Sequence, residues 1–342
     1  MDLVTGGTGL IGSHLLLELA LRKRPIRALK REGSDLETVK SVFQYYRSED
    51  GMALFSGIEW VDADLTDIAP LGAAMKGVER VFHSAGIVSY DPGDREKLLE
   101  FNAEGTKNLL ELSLQEGVSS FAHVSSTSAL GKPLEGRPVD EAAKWKVDRE
   151  NSDYSISKYM AEREVWRARE EGLPVVIVNP CIVIGPGDPE RSSSTLIGGV
   201  AKGNPFYPPG CNAFVDVRDV AGTLVGLMDG MDLEGERFVL VGEHCSFRMV
   251  MERIAEALEM KPPNIEAGRF LLEGAWRTEA LLRMLSGRKP QITKQTARNG
   301  LREMHFSSEK ARSWFGFSPR SIDEAIGNAC AFYHRFHKEK AL

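Results

Sequence analysis

The feature that most constrains this 342-residue chain is VTGGTGLIGSH, residues 4–14, set directly behind the short β-branched run LVT. Gly6, Gly9 and Gly12 recur at every third position. A strand that turns into a helix through such glycines makes a tight turn, a backbone surface that a pyrophosphate can approach, and a helix that packs down closely. The opening helix also points its unpaired N–H groups, and the positive end of its dipole, at whatever sits on the turn.

The rest of the first half alternates in the way such a turn requires. LVT (3–5), IRAL (26–29), IEWV (58–61), RVFH (80–83), FAHVSS (121–126) and VVIVN (175–179) read as buried strands. Helical patterns fall between them at about 10–23, 35–46, 94–117 and 151–172. This predicts an α/β fold, a doubly wound parallel sheet of Rossmann type with helices on both faces. Residues 1–180, with about 213–243, are expected to form the dinucleotide-binding domain. Residues 181–212, a loop-dominated excursion, and 244–342, mostly helical, are expected to form a smaller substrate-binding cap.

Composition excludes other classes. A formal charge of −6, with 42% apolar and 27% charged residues, offers no basic face for nucleic acid. The longest apolar run, VVIVNPCIVI (175–184), is too short to span a bilayer. MDLVTGG enters a strand at once with no leader, so a cytoplasmic protein without membrane partners is expected. The cysteines at 181, 211, 245 and 330 lack paired spacing and read as reduced packing residues. Cys330, His334 and His337 share a helical face, but no fourth ligand accompanies them and no metal is expected.

Further motifs appear in order: DADLTD (62–67), HSAG (83–86), NAEGTKNLLE (102–111), HVSSTSALG (123–131), YSISK (154–158), NPCIVIGPG (179–187) and FVDVRDVA (214–221). Together with TGxxGxxG, this series resembles the extended short-chain dehydrogenase/reductase superfamily over essentially the whole chain. The resemblance implies that Gly6, Thr8, Gly9, Leu10, Ile11, Gly12, Asp64, Leu65, Ser84, Ala85, Gly86, Pro180, Ile182 and Val183 line a nicotinamide dinucleotide. It implies that Asn102 anchors a water relay, and that Ser126, Tyr154 and Lys158 carry the chemistry. Ser126 lies five residues before Gly131, where the family's hydroxyl stands, and Thr127 is the alternative. Arg218 is a candidate contact for an anionic substrate group. The end of the second strand reads Lys30–Arg31 with no acid before Glu32. Two cations suit a 2′-phosphate, so NADP(H) is favoured, with NAD(H) the other option.

Tyr154 and Lys158 stand one turn apart on one helix face. For acid–base work near neutrality the tyrosine must fall from about 10 to about 7, worth about 4 kcal/mol, and a lysine ammonium beside it supplies part of that. Both would also touch the nicotinamide half of the cofactor. His83 and His123 lie in strands and read as core residues. The sugar-nucleotide enzymes of the superfamily commonly carry Arg-x-x-Asn-Val-Tyr-Gly-Pro after the sixth strand. Here Asn179, Ile182 and Ile184 stand for the Arg, Asn and Tyr, closer to the dihydroflavonol-reductase and 3β-hydroxysteroid-dehydrogenase side. Reduction of a ketone or aldehyde is the expected reaction, with sugar-nucleotide epimerisation or dehydration on retained NAD as the alternative. A non-catalytic dinucleotide sensor has no need of the Ser–Tyr–Lys set. The resemblance also implies a homodimer through the two long helices.

Overall fold

The β-branched runs become the strands of one sheet. The computed structural model describes residues 1–132, 137–230, 234–286 and 288–337. Its strands are β1 (Asp2–Thr5), β2 (Ile26–Lys30), β3 (Glu59–Asp62), β4 (Arg80–His83), β5 (Ser120–Val124), β6 (Val175–Pro180), β7 (Ile182–Ile184), β8 (Phe206–Tyr207), β9 (Cys211–Asp216), β10 (Glu234–Leu240), β11 (Glu243–Ser246) and β12 (Ile265–Glu266). The helices are α1 (Leu10–Leu21), α2 (Glu37–Tyr46), α3 (Gly51–Ser56), α4 (Ile68–Ala74), α5 (Arg95–Leu98), α6 (Gly105–Gln115), α7 (Asp153–Glu170), α8 (Thr195–Ala201), α9 (Val217–Gly230), α10 (Phe247–Ala257), α11 (Arg269–Ser286), α12 (Lys294–Leu301), α13 (Glu309–Phe315) and α14 (Ile322–Phe336).

Seven parallel strands run in the order β10-β6-β5-β4-β1-β2-β3. β1, β4, β5 and β6 are buried at every residue, which is why they read as continuous apolar runs. On one face Leu15 and Leu19 of α1 and Val220 and Leu224 of α9 pack on Val4, Phe82, Ala122 and Val176. On the other, Leu71 of α4, Leu109 of α6 and Val165 of α7 cover Leu3, Val81, Phe121 and Ile177. The strand order reverses between β1 and β4, and this switch point opens a crevice at their carboxyl ends.

The stretch between α5 and α6 is not α-helical. Residues Leu99–Glu104 wind as a π-helix carrying Asn102, a form that commonly marks a functional position. Residues 181–212 are also more ordered than a loop excursion. β7 joins β9 and β11 in a second sheet, and α8 buries Ile197 and Val200. The period was hidden because α8 is short and broken by Gly198 and Gly199. α10 and α14 close over this sheet through Val250, Ile254, Ile326 and Cys330. The C-terminal segment then returns: Phe306 bridges Val139, and Ala311 and Phe317 join the core of the large sheet.

Candidate active site

The glycine turn is built as its spacing predicts, with one difference. Gly6 has φ +70°, and a Cβ there would sit 2.6 Å from the Ala85 backbone nitrogen. A Cβ on Gly12 would lie 2.0 Å from the carbonyl oxygen of Gly6, so the third glycine packs the helix on its own turn before it packs on the sheet. α1 starts at Gly9 with no side-chain cap and no acid in its first turn. Its first amides therefore stay available to an anion. A cavity of about 1620 Å³ opens over this turn. Thr8, Leu10, Ile11, Asp64, Leu65, Ser84, Ala85, Gly86, Pro180, Ile182 and Val183 all line it, together with the glycines. An uncapped helix, glycines that no side chain could replace, and a cavity this large fit a dinucleotide.

At the far end Lys30 and Arg31 differ. Lys30 is ion-paired with Asp62 across the β2–β3 register, so much of its charge is already answered. Arg31 lies 5.8 Å over the Phe101 ring and has no carboxylate partner among the described residues. Ser34 and Thr38 line the same end of the cavity, two hydroxyls overlooked in the sequence because a Gly-Ser turn has no special spacing. Asp64 turns back on its own loop, accepting the Thr66 amide at 2.9 Å and its hydroxyl at 2.7 Å.

At the chemical end Ser126, Thr127, Tyr154 and Lys158 all line the cavity. Ser126 is the hydroxyl that acts on Tyr154, and it accepts the Ser128 amide at 3.1 Å. Tyr154 is 9% exposed, and the Tyr90 ring stands edge-on to it at 5.8 Å. Burial pushes the Tyr154 hydroxyl up from its ordinary value, Tyr90 adds to this, and Ser126 opposes it. Tyr154 thus holds its proton at neutral pH. The Lys158 ammonium donates to the Val124 carbonyl at 2.9 Å. Burial brings Lys158 down to about 8, with the Glu162 charge opposing.

Asn102 does not line the cavity. It grips Ile87, accepting its amide at 2.7 Å and donating to its carbonyl at 2.9 Å, and donates to Ser157 Oγ at 2.9 Å. Ser157 in turn donates to the Tyr154 carbonyl at 2.8 Å. The π-helix is thereby tied to the start of α7. Arg218 is displaced from the substrate: it pairs with Asp216 at 2.6 Å and Glu324 at 3.0 Å, outside the cavity wall. Asp216 two residues earlier captures it, a local pairing that its place in FVDVRDVA concealed.

A second buried network was not read from the sequence. Glu162, one turn beyond Lys158 and 2% exposed, accepts from Ser125 Oγ at 2.7 Å, Asn179 Nδ2 at 2.9 Å and Arg237 Nη1 at 2.7 Å. Asn179 also donates to the Ser126 carbonyl at 3.0 Å. Glu162 therefore fixes the strand end that presents Ser126. The i, i+4, i+8 run Tyr154, Lys158, Glu162 on one helix face was the available signal. His83 is held between hydroxyls: Nδ1 lies 2.7 Å from Thr5 Oγ1 and Nε2 lies 2.8 Å from Thr106 Oγ1. Thr106 donates to the Asn102 carbonyl and Thr5 accepts the Ala85 amide, so His83 must donate through Nε2 and accept at Nδ1. Burial holds it near 3, hence neutral. Among the described residues no group of His, Cys, Asp and Glu is arranged to hold a metal.

Comparison with known proteins agrees with this geometry. The model of the NAD dependent epimerase/dehydratase family matches residues 3–240. A Synechocystis sp. protein bearing a provisional dihydroflavonol 4-reductase name is 30% identical over 96% of this chain and 93% of its own. Sterol demethylase protein B of Methylococcus capsulatus is 29% identical over 97% of both. A solved structure described as gox2253 superposes with a TM-score of 0.80 at 31% identity, covering 99% of each chain. A UDP-glucuronic acid 4-epimerase from Bacillus cereus, solved with UDP-glucuronic acid and NAD, shares the fold at a TM-score of 0.76 and 17% identity, over 98% of this chain and 99% of its own.

Proposed function

The chain belongs to the NAD-dependent epimerase/dehydratase family of extended short-chain dehydrogenases/reductases, and on that footing we propose that it is an NADP(H)-dependent reductase of a ketone or aldehyde. The observation that carries this reading is that Ser126, Tyr154 and Lys158 line one cavity together with the glycine turn. The glycine turn, the α1 amides and the Arg31 end would hold the dinucleotide, which would supply hydride. Ser126 orients the substrate oxygen by hydrogen bonding, and Tyr154 gives that oxygen its proton. Tyr154 carries a proton to give, but burial makes it a weaker acid, so its value has to come down in the loaded site for fast transfer. Lys158, charged below about pH 8, lowers the cost of the tyrosinate left behind.

The lining beside the sixth strand speaks against a diphosphate sugar. Of the cations that line the cavity, Lys132, Arg191, Lys289 and Arg302 are already paired, with Asp148, Asp188, Asp94 and Glu150 respectively. Lys97 and Lys146 are not paired among the described residues, so the two positions that follow carry the distinction. Asn179 is consumed by Glu162 and the Ser126 carbonyl, and Ile182 places an apolar side chain where an amide would meet phosphate. We also propose a homodimer through the α5–α6 and α7 faces, which light scattering tests.

The deciding experiment is a spectrum of the purified protein followed by fluorescence titration with NADPH and NADH. An empty protein that prefers NADPH supports the reductase. NAD released only on denaturation overturns it in favour of an epimerase or dehydratase. Tyr154→Phe should keep NADPH affinity and lose turnover.

A further inference from the structure

α11 is assembled inside out. Its inward side carries Leu272, 8% exposed, with Trp276 packed beside Ala267 and Ala297. The same side holds charges: Glu279 accepts the Gln291 amide at 3.0 Å, and Arg283 is ion-paired with Asp91. At about 100° per residue the opposite arc holds Phe270, Leu271, Leu281, Leu282, Met284 and Leu285. These are 93%, 47%, 52%, 46%, 75% and 73% exposed. α10, by contrast, buries Phe247, Val250, Met251 and Ile254 as an amphipathic helix ordinarily does. The apolar arc of α11 neither lines the cavity nor packs into the core. So much contiguous apolar surface marks a docking face.

The charge around it says what docks. Residues 269–298 carry seven Lys or Arg and two Glu, a net of +5 within a chain of net −6. Arg269 and Arg288 are exposed beside the apolar arc, Arg277 is exposed within it and paired with Glu273 on the same helix, and Lys289, beyond the helix end, is exposed but paired with Asp94. Two copies meeting through α11 would set two such cationic segments against each other. An apolar arc edged with arginine and lysine is instead the pattern of a helix lying in the plane of an anionic membrane surface. No helix among the described residues is long and apolar enough to cross a bilayer, so the association is peripheral.

We propose that α11 is an interfacial helix that seats Phe270, Leu281 and Leu285 at the acyl boundary of an anionic bilayer, with the flanking cations on lipid phosphates. This revises the expectation of no membrane partner, and it stands independently of the reaction assigned to the site.

The test is sedimentation of the full chain with vesicles of phosphatidylcholine alone and of an equal mixture with phosphatidylglycerol. Wild type should bind the anionic vesicles at least about tenfold better, less so in high salt. The double variant Phe270→Glu, Leu285→Glu changes only exposed side chains and should lose that binding while NADPH affinity stays put. Wild type left in the supernatant of anionic vesicles overturns the proposal, as does a variant that still sediments. Light scattering in which the variant splits an oligomer formed by wild type would overturn it in favour of a second copy on α11.

Discussion

Replacing Glu162 tests how the catalytic strand end is held. In Glu162→Ala three donors lose their acceptor at once: Ser125, Asn179 and Arg237. The largest cost is the Arg237 guanidinium, whose side chain is 20% exposed and loses its counter-ion. Breaking such a pair from one side costs about 3–5 kcal/mol. The two neutral donors add less than their separate ~1–3 kcal/mol, since the vacated space admits water. Glu162→Ala should therefore lower stability by about 3–5 kcal/mol, read as a fall in urea midpoint at unchanged slope. Adding Arg237→Met removes the orphaned charge and should recover part of that loss. Glu162→Gln, which keeps the volume, isolates the electrostatic role. Glu162 holds the Lys158 pKa up, so neutralising it moves the proton loss of Lys158 further below about 8. The alkaline limb of the pH profile of turnover should shift to lower pH. A cycle additive to within about 0.3–0.5 kcal/mol, with an unmoved alkaline limb in Glu162→Gln, would refute the reasoning.

Lys158 has a stability consequence of its own. Its folded-state value of about 8 lies below the ordinary 10.5, so the folded protein binds fewer protons between these values and gains stability as pH rises through that window. Lys158→Met should be about 1–3 kcal/mol more stable than wild type near pH 7, with the lead closing towards pH 10 in urea titrations, and should lack turnover. Arg31→Ala should weaken NADPH about 10–100-fold by calorimetry while sparing NADH, whereas Lys30→Ala, already paired with Asp62, should do much less. Gly12→Ala puts a methyl 2.0 Å from the Gly6 oxygen and should abolish dinucleotide binding at a cost of about 1–3 kcal/mol. Gly222→Ala, in α9 with nothing near its Cβ, should instead stabilise by about 0.5–1 kcal/mol, both read by scanning calorimetry.

The large sheet was legible because parallel strands buried on both faces leave unbroken apolar runs. β1, β2, β4 and β6 start and stop within a residue or so of VFH-like and VVIV-like segments. The site hydroxyls were legible because spacing along one helix, and along one strand end, fixes which side chains share a face. What escaped depended on partners distant in sequence. Nothing near Asp2 announces that it will be buried against Arg80 at 2.7 Å, with Asp229 closing the other side of that guanidinium. Glu162 reads as an ordinary helix-surface acid until Arg237 arrives from β10. The Tyr–Lys spacing is local and visible, but the burial of Tyr154 and the Tyr90 ring against it come from distant segments. α8 was lost to its glycines, and α11 to the ordinary assumption that an apolar stripe faces inward.

The histidine clasped by Thr5 and Thr106 turns one buried ring into a reporter. Each hydrogen between the Ala85 amide and the Asn102 carbonyl is committed in a single direction, so the ring has one allowed tautomer. Its two nitrogens should give distinct ¹⁵N resonances that do not titrate across the range where the enzyme works. Any rearrangement of the glycine turn pulls Thr5, and any movement of the π-helix pulls Thr106. The imidazole spectrum of His83 therefore registers both ends of the nucleotide crevice without a label touching either.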